Sequence, residues 1–91
     1  MANNRSRRPW ILDTVGLVKA GITITTGFVF RDYTGGAASQ AVLSDSRGIA
    51  ICKLYGLADG TPVSEAWEIT QPIENLTITT LDSGVIEVIV Q

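Results

Sequence analysis

The sequence predicts an all-β fold, a small antiparallel β-sandwich or barrel of about seven strands with an extended N-terminal arm. Three observations lead there. Apolar residues recur with period two along most of the chain, and no helix-length stretch keeps the 3.6 period. Clusters of Asp, Gly, Ser and Pro punctuate those runs at intervals of roughly 8–12 residues. Finally, 91 residues that are 45% hydrophobic and 18% charged suit one compact core, not a disordered chain or two separate domains. Residues 1–9 read as a basic arm and residues 10–91 as the β domain.

The arm carries Arg5, Arg7 and Arg8 and no acid. The whole chain has a net charge of −2, so without those three arginines the body stands at −5. A basic arm on an acidic body suits an acidic partner surface or an acidic patch on another copy. After it, Trp10-Ile11-Leu12 and Gly16-Leu17-Val18 form short strands around a turn at Asp13-Thr14. From Ile22 the even positions (Ile22, Ile24, Thr26, Phe28, Phe30) make one face of a long strand, and Thr23, Thr25, Val29 and Arg31 the other. Gly27 marks a bulge or bend in so long a run.

Asp32 to Ser39 is a small-residue, exposed loop that holds Tyr33. Ala41-Val42-Leu43 and Ile49–Tyr55 form a hairpin across Ser44–Gly48, where an early Asp and a final Gly favour a type I turn followed by a left-handed residue. Gly56–Pro62 is a second loop with its tight turn at Asp59-Gly60. Val63–Thr70 alternates again, with Trp67 and Ile69 on one face, and Pro72 ends that strand or confines it to an edge. The last third predicts a hairpin of Leu76–Leu81 with Val85–Val90 across Asp82-Ser83-Gly84. Its second strand is apolar on both faces except at Glu87, so a core covers one side and a second subunit the other.

The chemistry these residues exclude is as informative. Histidine is absent, which removes the commonest general base and metal ligand together. Lys19 and Lys53 are the only lysines, and neither follows a Ser-x-x-Lys pattern, so no nucleophile has an evident base. Asp13, Asp32, Asp45, Asp59 and Asp82 fall in turns, where an Asp side chain bonds the backbone two residues on, and none sits in a calcium-loop spacing. No catalytic residue, metal ligand or cofactor site is expected. Cys52 is the single cysteine and lies in an alternating run, which suits a buried structural thiol. Trp10 and Trp67 read as core or interface anchors, whereas Tyr33 in its loop is the more open aromatic. The Asn75-Leu76-Thr77 sequon is read as chance. No run approaches the roughly 18 apolar residues of a membrane span, no secretory signal is expected, and an acidic body disfavours direct nucleic-acid binding.

Two stretches carry a resemblance. Pro9-Trp10-Ile11-Leu12-Asp13-Thr14 opens the domain and Leu76–Val88, with Thr80-Leu81-Asp82-Ser83-Gly84 at its centre, closes it. The pair resembles small β-rich proteins encoded among the virion genes of tailed bacteriophages. That resemblance implies a non-enzymatic virion component, and capsid decoration (cement) is the commonest role for a small all-β protein there. It implies a homo-oligomer, a trimer by preference, on the capsid surface, with the major capsid protein or another virion protein as partner. On this reading the partner-binding residues are Arg5, Arg7, Arg8, Trp10, Tyr33, Ile86, Val88 and Val90. Two other roles remain open: a tail, neck or fibre-associated virion module, and a carbohydrate-binding β-sandwich using Tyr33 and a loop-exposed Trp.

Overall fold

The computed structural model describes residues 5, 9–34 and 38–90. It is all-β: one antiparallel sheet of six strands, β1 (Trp10–Leu12), β2 (Gly16–Arg31), β3 (Gln40–Ser44), β4 (Ala50–Tyr55), β5 (Val63–Leu81) and β6 (Val85–Val90). Six strands stand where about seven were expected, because neighbouring runs fuse. The Gly16–Val18 and Ile22–Arg31 segments are one 16-residue strand, and Val63–Thr70 joins Leu76–Leu81 in a 19-residue strand that runs through Pro72. Pro72 is tolerated because β3 joins β5 only at Thr77, so that side of β5 carries no ladder at position 72.

The sheet order is β1-β6-β2-β5-β3-β4. The last-third hairpin is therefore corrected: β5 and β6 do not pair, and β2 lies between them. β6 pairs with the second half of β2, Thr25–Arg31, while Leu76–Ile78 of β5 lies against the first half, Gly16–Lys19. The turn at Asp82–Gly84 is a corner between two parts of a coiled sheet. Its backbone lies against the end of β2, for a Cβ on Gly84 would stand 2.7 Å from the Tyr33 amide nitrogen. The Asp82 carboxylate accepts from the Gln40 amide at 3.0 Å and so ties the corner to β3.

The long strands switch between two leaves. One leaf is β1, β6, the second half of β2 and the start of β5; the other is the first half of β2, the end of β5, β3 and β4. Between them lie Leu12, Phe28, Phe30, Leu43, Leu76, Ile78, Ile86 and Val88, all without solvent exposure. Trp10, Val18, Tyr33, Ala41, Cys52, Leu54 and Ile73 complete the cluster. The chain exposes 5060 Å², and a compact monomer of this mass exposes about 5,100 Å². One copy thus completes its own core.

The β3–β4 hairpin follows its sequence signature. Gly48 donates to the Asp45 carbonyl at 3.0 Å, Gly48 is left-handed at φ 75°, and the Asp45 carboxylate accepts from the Arg47 amide at 2.9 Å.

Candidate functional site

β2 departs from its own pattern. Thr23 and Thr25 are buried, at 2% and 0% exposure, whereas Ile22 and Ile24 stand out at 49% and 38%. Of the even face Ile22, Ile24, Thr26, Phe28 and Phe30, only Phe28 and Phe30 are buried. The cause is a pair of irregularities that bracket residues 22–25. Before them, register shifts between Leu17 and Ile22 add two residues to β2 against β5. There the Gly21 amide donates to the Asn75 side-chain oxygen at 2.9 Å, with Asn75 left-handed at φ 52°. The asparagine read as a chance sequon thus has a structural task. After them, Thr25 and Gly27 face Gln71 and Ala66, so Trp67–Thr70 bulges out of the ladder. The Thr25 hydroxyl accepts from the Gly27 amide at 3.1 Å and donates to the Ile89 carbonyl at 2.8 Å. The buried positions change parity across each irregularity, from Val18 to Thr23 and from Thr25 to Phe28, and between them the strand is inside out.

The result is an apolar ridge on the outer face. Ile24 lies directly across from Pro72, Ile22 is two residues along, and Ile69 projects from the bulge at 73% exposure. The inner side keeps a defect, since the Thr23 hydroxyl is buried with no hydrogen-bond partner.

The sequence-expected partner residues are distributed otherwise. Ile86 and Val88 are wholly buried core residues, so neither can meet a partner. The outward face of β6 is Val85, Glu87 and Ile89, and Glu87 accepts from the Arg31 guanidinium at 2.8 Å. Val90 is half-buried against the core. Trp10 is 8% exposed and opposite Val88, an anchor within its own chain, with the Arg5 guanidinium 5.7 Å above its ring. Arg7 and Arg8 lie outside the described residues. Tyr33 is not open: it is 7% exposed and stacked on Phe30 at 4.7 Å. Its hydroxyl donates to the Thr61 carbonyl at 2.6 Å and accepts from the Leu57 amide at 2.7 Å, which pins the 56–62 loop.

The second feature of the bulge is a cleft of about 370 Å³ between the β3–β4 turn and the middle of β5. Its apolar lining is Trp67, Pro72, Ile51 and Ile73. Its polar lining is Asp45, Arg47, Gln71 and Glu74. Trp67 meets the buried Phe28 ring edge-on, with centroids 5.6 Å apart and planes at 88°. Nothing in the sequence placed Trp67 and Arg47 in the lining of one cleft.

Nucleophilic chemistry has no foothold at Cys52. Burial, then the neighbouring Glu65 carboxylate, push its thiol up to about 12. Among the described residues no three His, Cys, Asp or Glu side chains gather as a metal site, and no helix is long and apolar enough to cross a membrane. No protein-family model, curated protein or solved structure matches the chain.

Proposed function

We propose that this is a non-enzymatic structural protein of a tailed-phage virion, which decorates and stabilises the capsid through subunit contacts. One observation carries the assembly reading: β2 buries Thr23 and Thr25 while it exposes Ile22 and Ile24. Single exposed apolar residues are ordinary on any protein surface. A strand that turns its isoleucines outward and its threonines inward is not, and burial against another subunit recovers the apolar area left in water. The framing motifs supply the virion setting. The complete core of the single chain means that association adds to a finished fold, so it can be removed without unfolding.

The partners proposed are further copies, as a trimer, and the major capsid protein. The arm is the proposed grip on acidic shell surface, because guanidinium groups pair bidentately with carboxylates. Sedimentation over a concentration series tests the first contact. Wild type should associate, and Ile24→Asp should sediment as a folded monomer with an unchanged circular-dichroism spectrum. Saturable binding to undecorated shells, lost on removal of residues 1–8, tests the second. A wild type that stays monomeric and leaves shells bare sinks the reading. Binding at only a few copies per particle would move the protein to the tail or neck.

A further inference from the structure

We propose that the cleft between the β3–β4 turn and the bulge of β5 binds a neutral hexopyranose, with the sugar ring seated on Trp67. This goes beyond the assembly role and does not depend on it.

The cleft's volume, about 370 Å³, falls in the range of small-molecule sites, roughly 300–1,000 Å³. Its lining is of two kinds. Trp67, Pro72 and Ile51 offer an apolar platform, whereas Arg47, Gln71 and Glu74 offer donors and acceptors. A pyranose has the matching division. Its ring C–H groups form an apolar face, and its hydroxyls form a rim in which each group both donates and accepts.

The platform is fixed in advance. Trp67 is half-buried and edge-on to the Phe28 ring, so its indole is held while part of it stays in solvent. The polar side is fixed as well. Arg47 is clamped to the Asp45 carboxylate through Nε at 3.1 Å and Nη2 at 2.7 Å, yet its side chain remains 72% exposed. Glu74 accepts from the Ser46 hydroxyl at 2.7 Å through one carboxylate oxygen. Groups already ordered lose little freedom when a ligand arrives.

Charge selects the class of ligand. One guanidinium faces two carboxylates, a balance of −1 that disfavours phosphates, nucleotides and acidic sugars. Neutral hydroxyls fit it. The bulge itself agrees with this reading, since β5 gives up ladder pairing over Trp67–Thr70 where Trp67 joins the lining of the cleft.

The experiment is an amide-resolved NMR titration of the whole chain with maltotriose, diacetylchitobiose and methyl α-mannoside, and with sialyllactose as the acidic comparison. At least one neutral sugar should shift the amides of 45–48 and 67–74, with millimolar affinity. Arg47→Ala and Gln71→Ala should each weaken binding about tenfold with unchanged melting, because both side chains are exposed. Trp67→Ala should abolish binding; should it fail to fold for want of its Phe28 contact, the two surface variants still decide. The proposal is overturned if no neutral sugar shifts those amides, if the shifts lie elsewhere, if both surface variants bind as wild type does, or if sialyllactose binds as tightly as the neutral sugars.

Discussion

Gly27→Ala is the substitution that tests how β2 is built. At Gly27 the strand returns to the phase that carries Phe28 and Phe30 inward. The added methyl would sit on the Glu65 carbonyl oxygen and 2.9 Å from the Ala66 Cα. Both obstacles are backbone, held by the pairs Gly27↔Ala66 and Phe28↔Glu65, so neither can swing aside as a side chain would. Relief requires β5 to move away from β2, which costs about 1–3 kcal/mol in overpacking and about 1 kcal/mol for each ladder hydrogen bond stretched. The sum is about 3 kcal/mol or more, from a total stability that for a domain of this size is on the order of 5–14 kcal/mol. At roughly 4–8 °C per kcal/mol, the melting temperature should fall by about 12–24 °C. Gly60→Ala is the control: Gly60 is left-handed at φ 79° with open space around it, so only the backbone cost of about 1–2 kcal/mol applies. Chemical denaturation of the two variants separates the outcomes. A uniformly alternating strand would put residue 27 on the outer face, where alanine is harmless. A Gly27→Ala protein within about 0.5 kcal/mol of wild type would therefore refute the phase-shifted strand, and with it the outward ridge.

Three further outcomes follow from the same packing. Tyr33→Phe keeps the stack on Phe30 but leaves the Leu57 amide and Thr61 carbonyl without their partner, so denaturation should show a loss of about 1–3 kcal/mol and hydrogen exchange should quicken in the 56–62 loop. Thr23→Val removes a buried hydroxyl that bonds nothing and should be neutral or stabilise by about 1 kcal/mol; a destabilised variant would show that the hydroxyl has a partner. Cys52 has a folded-state thiol raised from 9.0 to about 12, so its contribution is intact below pH 9 and disappears as pH climbs from there through about 12. Stability measured against a Cys52→Val reference should fall over that window, and thiol reagents at pH 8 should label the native protein only as fast as it unfolds.

What was legible in the sequence was local. The β3–β4 hairpin is written in Asp45 and Gly48, whose side-chain acceptor and left-handed backbone make the turn without help from the rest of the chain. The fold class followed from alternation, and so did the placing of Phe28 and Phe30 on one face of their strand. The β5–β6 pairing failed because a three-residue turn between two apolar runs looks the same whether the strands pair or part at a corner. The decision rests on β2, more than fifty residues away, which closes against Gly84 and claims both strands. Ile86 and Val88 were mistaken for a contact surface for a related reason. An apolar strand covered on both faces reads alike whether a subunit covers it or its own sheet and an Arg31–Glu87 ion pair occupy the outer side. The cleft was illegible because its lining comes from a turn and a bulged strand that no sequence pattern brings together.

The inversion in β2 is built, not incidental. Read without interruption, Val18, Ala20, Ile22, Ile24, Thr26, Phe28 and Phe30 form one continuous face, and a regular strand would bury every apolar member of it. The fold instead places an irregularity on each side of residues 22–25 and secures both with side chains: Asn75 holds the Gly21 amide, and Thr25 holds the Gly27 amide. It accepts an unpartnered hydroxyl at Thr23 and two exposed isoleucines as a consequence. Desolvating a lone hydroxyl costs about 1–3 kcal/mol, and an isoleucine half in water forgoes about 1 kcal/mol of burial. On the proposed assembly reading, burial of the ridge by another subunit would recover the second cost, and that is the physical reason to look for the function on this face of β2.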